Sequence, residues 1–146
     1  MICPDINLLL YAINDAFPRH REAKAWWDGV LSGSVPVGIP HVVILGVIRL
    51  ATNRKVFPKP LTLKQAIGIV DGWLQQPNVR LIPPTGSHWM TLKMMLEESD
   101  AGPNLTTDAH IAALASEYAM IIHSNDADFA RFPGVRVVNP LRDTPA

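Results

Sequence analysis

The chain is 146 residues long, enough for a single domain (1–146) with a sizeable core, and a second domain is not expected. Thirteen Lys and Arg offset thirteen Asp and Glu, so net charge alone advertises neither a nucleic-acid nor a membrane partner. The single cysteine, Cys3, excludes an internal disulfide and any CxxC motif, and the longest apolar stretch, around Val42 to Ile48, falls far short of the ~20 residues that cross a bilayer; a cytoplasmic protein without export signal or anchor is expected.

Ile2-Cys3-Pro4-Asp5 reads as a short strand, with Pro4 tolerable near its end or at a sheet edge. A helix starts near Ile6, with Asp5 at or close to its N-cap. After Pro18, the residues Ala23, Trp26, Trp27, Val30 and Leu31 recur at i, i+3, i+4, i+7 and i+8. That is one apolar helix face, ended by Ser32-Gly33-Ser34, and it predicts both tryptophans in the core. Val35 to Ile39 is a second strand ended by Pro40, and His41 to Thr52 a helix apolar around most of its circumference, hence largely buried. A basic loop with two prolines, Asn53 to Pro60, leads to an amphipathic helix marked by Leu63, Ala66, Ile67, Val70 and Leu74. Val79 to Ile82 is the third strand. Ser87 caps a helix running to about Glu98, and Gly102-Pro103-Asn104 breaks it. Leu105 to Tyr118 is a helix whose Ala109, Ala112, Ala113 and Ala115 permit close packing on a sheet. Met120 to His123 is the fourth strand, Asp126 to Phe132 a loop or short helix, and Val135 to Val138 the fifth strand. Strands alternating with helices predict an α/β fold, a three-layer α/β/α sandwich around a central, mainly parallel sheet.

In such a fold the carboxyl end of a strand and the start of the next helix share one side of the sheet, where open α/β proteins bind ligands. Asp5, Asp108 and Asp126 all fall at such places. Singly, each has a structural role open to it: Asp5 as a cap, Asp108 in favourable interaction with a helix dipole, Asp126 in an Asx-turn. Three caps have no need to share one edge, whereas a metal-dependent hydrolase needs carboxylates to hold a cation and aim water. Hard oxygen donors suit Mg²⁺ or Mn²⁺. Asn7 and Ser124 are placed to assist, and Asp128 is a further acceptor or a cap. The five histidines show no HxxxH pairing and read as structural, and no P-loop, GxGxxG or GxSxG motif is present. No carboxylate lies between Asp28 and Asp71, while Arg49, Arg54, Lys55, Lys59 and Lys64 fall there. A locally basic section of this kind reads either as solvated surface or as a contact for a polyanion, with Arg49, Arg54 and Lys55 the candidates.

Asp5-Ile6-Asn7-Leu8-Leu9, Arg49-Leu50-Ala51-Thr52-Asn53, Asn104-Leu105-Thr106-Thr107-Asp108-Ala109-His110-Ile111-Ala112-Ala113-Leu114-Ala115, Ser124-Asn125-Asp126-Ala127-Asp128-Phe129 and Asn139-Pro140-Leu141 together resemble a PIN-domain ribonuclease, above all the VapC toxins of bacterial toxin–antitoxin pairs. The resemblance implies a Mg²⁺- or Mn²⁺-dependent endoribonuclease, commonly homodimeric and held inactive by a small VapB antitoxin. It also implies that Asp5, Asp108 and Asp126 are the acidic site residues, with Asn7 and Ser124 beside them. One position departs from the pattern. The family usually carries a glutamate shortly before the arginine of the second major helix, and here Ile44 or Gly46 stands there. Three aspartates can still hold one cation that keeps several waters. The alternative is a catalytically weakened scaffold that binds RNA or its partner without cutting.

Overall fold

The computed structural model describes residues 1–100 and 102–141. Five strands, β1 (Ile2–Pro4), β2 (Val37–Pro40), β3 (Val79–Ile82), β4 (Ile121–His123) and β5 (Arg136–Val138), form one sheet in the order β3-β2-β1-β4-β5. Every neighbouring pair is parallel. Six helices flank the sheet: α1 (Ile6–Ile13), α2 (His20–Leu31), α3 (His41–Ala51), α4 (Leu63–Leu74), α5 (His88–Glu98) and α6 (Thr106–Glu117). The predicted α/β architecture with a parallel central sheet is the one observed.

The strands are short because prolines close two of them. Pro4 ends β1 opposite His123, and Pro40 ends β2 opposite Ile82. Lacking an N–H, each withholds one ladder donor near the carboxyl edge, where the chain passes into a helix. Pro4 thus sits at the end of the central strand. β2 begins two residues later than expected, since Pro36 has no ladder donor and Val35 is exposed.

Asp5 caps α1 by accepting from the Ile6 N–H, and Thr62 and Gln65 form a reciprocal capping box on α4. Ser87 precedes α5 without a side-chain cap bond, contrary to expectation; its carbonyl is engaged by Thr91 instead. The core gathers Leu8, Leu9, Ile39, Ile122, Leu114 and Phe129, all fully buried. The α6 alanines are buried too, so that helix lies close against its neighbours. Two apolar predictions need correction. α3 is only half buried, with Val43, Gly46, Val47 and Ala51 inside but Leu45 66 % exposed, because α1, α4, β2 and α6 cover only part of its circumference. Trp27 is in the core, packed edge-on against Trp73, whereas Trp26 is partly buried and stacks on His123.

Candidate active site

β1 and β4 are neighbours, so the residues that follow them meet at the carboxyl edge. The Asp5 N–H donates to the His123 carbonyl at 3.0 Å, and Ser124 N–H to the Val138 carbonyl at 3.0 Å, which extends the sheet's order one residue beyond each strand. Ser124, only 1 % exposed, is the bridge. Its Oγ donates to Asp5 Oδ2 at 2.8 Å and accepts from the Asp126 N–H at 2.9 Å. Asp5 Oδ1 accepts from the Ile6 N–H at 2.7 Å, so both oxygens of this buried carboxylate are hydrogen-bonded. Burial pushes its pKa up; the bonds from Ser124 and Ile6 pull the other way, and Asp126 adds to the rise, leaving a net upward shift.

Asp126 caps the short 3-10 turn Ala127–Arg131, its Oδ1 accepting from the Asp128 N–H at 2.9 Å. Asp128 faces Arg131 at 3.6 Å across an exposed surface. Asp108 lies in the first turn of α6, half buried. Its pKa is pushed up to about 6 by burial first and then by Asp5, Asp126 and Asp128, so the four carboxylates share one field although they come from three sections of chain. This donor set fits a hard divalent cation: all the donors are oxygens, and their crowding is the kind of repulsion a cation relieves. As they stand, no three His, Cys, Asp or Glu side chains among the described residues form a group that could hold a metal ion.

The other expected residues are less involved. Asn7 is exposed on α1 and makes no side-chain hydrogen bond among the described residues. Arg49 occupies the last turn of α3, roughly 12 Å along the axis from its first residue. Arg54 and Lys55 lie in the turn that follows, where Asn53 Oδ1 accepts from the Lys55 N–H at 2.9 Å. All three are exposed, and none is ion-paired or joined to the carboxylates among the described residues.

The position lacking its glutamate has an apolar occupant nearby. A Cβ on Gly46 would lie 2.5 Å from Ile6 Cδ1 and 3.0 Å from Ile6 Cγ1, so α3 packs directly on the residue after Asp5. A glutamate there has to displace Ile6, which offsets the gain in helix propensity over glycine. Ile44 is half buried one turn away from the last buried valine of this face, Val47.

A second cluster escaped the sequence reading. His88 Nδ1 lies 2.6 Å from Glu117 Oε2 and His88 Nε2 lies 2.8 Å from His110 Nδ1, joining α5 to α6. Thr85 donates to Glu117 Oε1 through both its N–H, at 3.2 Å, and its hydroxyl. Burial raises the Glu117 pKa, but the bonds from His88 and Thr85 outweigh it and the net shift is downward. The pKa of His110 is lowered by burial and by His88. Half of this cluster was visible in principle, because His110 and Glu117 share a face of one helix at i, i+7; His88, on another helix, carried no spacing signal.

Comparison with known proteins places these features in a family. The family model of the PIN domain matches residues 2–135. Ribonuclease VapC33 of Mycobacterium tuberculosis is 42 % identical over 143 residues, covering 98 % of this chain and 100 % of that protein. Ribonuclease VapC37 of the same organism is 45 % identical over 136 residues, covering 93 % of this chain and 94 % of that one. Among solved structures, VapBC2 from Rickettsia felis, bound to a DNA fragment from their promoter, superposes with a TM-score of 0.67 at 18 % identity, covering 95 % of this chain and 98 % of that one; this is a likeness of fold.

Proposed function

Because this chain belongs to the PIN-domain family and is similar along nearly its whole length to VapC ribonucleases, we propose that it is a divalent-metal-dependent endoribonuclease toxin that hydrolyses phosphodiesters in single-stranded or loop RNA. A small VapB-type antitoxin would neutralise it, and the working form would be a homodimer in the cytoplasm. No helix of the described residues is long and apolar enough to cross a membrane.

The observation that carries the reading is the Ser124 bridge between Asp5 and the Asp126 loop at the carboxyl edge, with Asp108 held in the same electrostatic field. Asp5, Asp108 and Asp126 would hold Mg²⁺ or Mn²⁺, with Asn7, Ser124 and Asp128 in support. When bound, the cation polarises a phosphate oxygen and lowers the pKa of an attacking water. The chain's own residues set the geometry. Ser124 pins one oxygen of Asp5 and fixes the start of the Asp126 loop, so two carboxylates keep their spacing while a substrate binds. One of the three aspartates would serve as general base toward the attacking water. Arg49, Arg54 and Lys55 would contact RNA phosphates or the antitoxin.

The test is cleavage of RNA by the purified, partner-free chain in Mg²⁺ or Mn²⁺, with EDTA abolishing it and Asp108→Asn removing it. A second reading, a weakened scaffold that binds RNA or its partner without cutting, is favoured by the apolar contact of Gly46 with Ile6 where the family usually has a carboxylate. Saturable RNA binding with no cleavage at any concentration of either metal would decide for it.

A further inference from the structure

Beside Asp126, between the loop after β4 and the edge strand β5, lies a cavity of about 180 Å³ lined by Asn125, Asp126, Ala127, Ala130, Val137 and Asn139. Its polar wall has a direction that can be read from one backbone group. The Leu141 N–H is a donor only, and it lies 2.9 Å from the side chain of Asn139, so the contacting atom is Oδ1. The other end of the Asn139 amide is therefore its NH₂, and it donates at 2.9 Å to Asn125, whose contacting atom must in turn be Oδ1. What remains of the Asn125 amide is its own NH₂, which has no partner among the described residues. The relay from Leu141 through Asn139 thus fixes Asn125 as a hydrogen-bond donor at the side of the carboxylates.

We propose, resting on the nuclease reading above, that this cavity is a subsite for one RNA base next to the scissile bond, and that Asn125 reads a carbonyl oxygen of that base through its side-chain N–H. A phosphate is the poorer fit. The lining has no cationic side chain, and the Asp126 carboxylate repels an anion, whereas the methyl groups of Ala127, Ala130 and Val137 suit the face of a neutral ring. The volume is below the ~300 Å³ at which pockets begin to take drug-sized ligands, which matches one ring system rather than a longer stretch of strand. Reading single-stranded RNA by splayed bases and hydrogen bonds to their edges is the common mode for proteins. Guanine, uracil and cytosine each carry a carbonyl oxygen and adenine carries none, so the subsite discriminates against adenine.

The cut site of the purified chain in Mg²⁺ or Mn²⁺ is first mapped on a single-stranded oligoribonucleotide, and each flanking nucleotide is then replaced by the other three. One flanking position should show kcat/KM lower for adenine by roughly three- to tenfold, the worth of a single hydrogen bond. Asn125→Ala, checked for folding by thermal melting, should erase that discrimination while the chain still cuts. Asn139→Asp keeps an acceptor for Leu141 but faces Asn125 with a second oxygen, so the Asn125 amide turns over and presents its own oxygen; the adenine penalty should then vanish and preference shift away from uracil, the one base without an exocyclic amine. Absence of an adenine penalty at every flanking position of the unmodified chain overturns the subsite, as does a base preference unchanged in the folded variants. No cleavage by the unmodified chain at all is a different result, since it removes the nuclease reading and the subsite together.

Discussion

The molecule contains two groups of buried or half-buried charge, built on opposite principles. At the carboxyl edge of the sheet, Asp108 shares one field with Asp5, Asp126 and Asp128, and burial followed by these like charges pushes its pKa up to about 6. Between α5 and α6, Glu117 has a histidine at one oxygen and a threonine at the other, and its pKa falls. The first group gathers like charges, whereas in the second each oxygen of the carboxylate meets a histidine or a threonine. Within one chain of balanced charge this separates a cluster of like charges, whose repulsion the proposed cation would relieve, from a cluster that holds two helices together.

The comparison breaks if the two groups answer alike to removal of a carboxylate. Asp5→Asn, Asp108→Asn and Asp126→Asn should each lower RNA cleavage by orders of magnitude, with non-additive effects in combination, because the three act as a unit. Thermal midpoints should stay equal or rise as like-charge repulsion is relieved. A folded variant that still cuts as the parent does would take its residue out of the site. Glu117→Ala should do the reverse. It strands His88 and both donors of Thr85, at a cost of roughly 2 to 4 kcal/mol of stability in chemical denaturation, with cleavage per folded molecule near the parental rate.

Dependence on pH sharpens the contrast because the signs differ. The folded pKa of Asp108 is above its ordinary 3.8, so its protonated form favours the fold; that stabilisation is complete below about 3.8 and is lost as pH rises through about 6. Glu117 is held below its ordinary 4.5, so its stabilisation is present above 4.5 and is lost as pH falls through the lower folded value. Melting curves should show Asp108→Asn gaining on the parent above pH 6 and losing that advantage toward pH 4, while the deficit of Glu117→Gln shrinks as the solution is acidified. Adding Mg²⁺ should raise the parental midpoint and leave Asp108→Asn closer to its metal-free value. The smallest effect is expected from the basic loop. Replacing Arg54 and Lys55 with alanine should flatten the log–log salt dependence of RNA binding by about one to two, through the loss of phosphate contacts, and spare turnover on saturating RNA.

Most of the architecture was legible because it follows from local patterns. Prolines close β1 and β2, the spacing of Leu63, Ala66, Ile67, Val70 and Leu74 announces α4, and the α6 alanines signal a buried helix. The carboxylates were legible for the same reason, since a parallel sheet fixes where strand ends must lie. What the residues could not disclose depends on neighbours distant in sequence. The exposed side of α3 is set by α1, α4, β2 and α6 covering only part of it, Trp26 is partly buried against His123, and the bond between His88 and His110 requires two helices to meet. Asn125 and Asn139 were part of a recognisable motif, but the direction of their amides comes from a backbone N–H at Leu141. Gly46 looked like a lost carboxylate; its packing against Ile6 is a property of the folded pair of helices.

The central place of β1 in the sheet has a consequence in time. Asp5 and the Ser124 hydroxyl that bridges it to the Asp126 loop are 119 residues apart, so at the ~5 to 20 residues per second of synthesis roughly 6 to 24 s separate their appearance. β1 is made before β4, its neighbour in the sheet, and must wait for it to be translated. A nascent chain to which Ser124 has not yet been added therefore carries Asp5 without its bridge, and the proposed site cannot be assembled before that residue is in place.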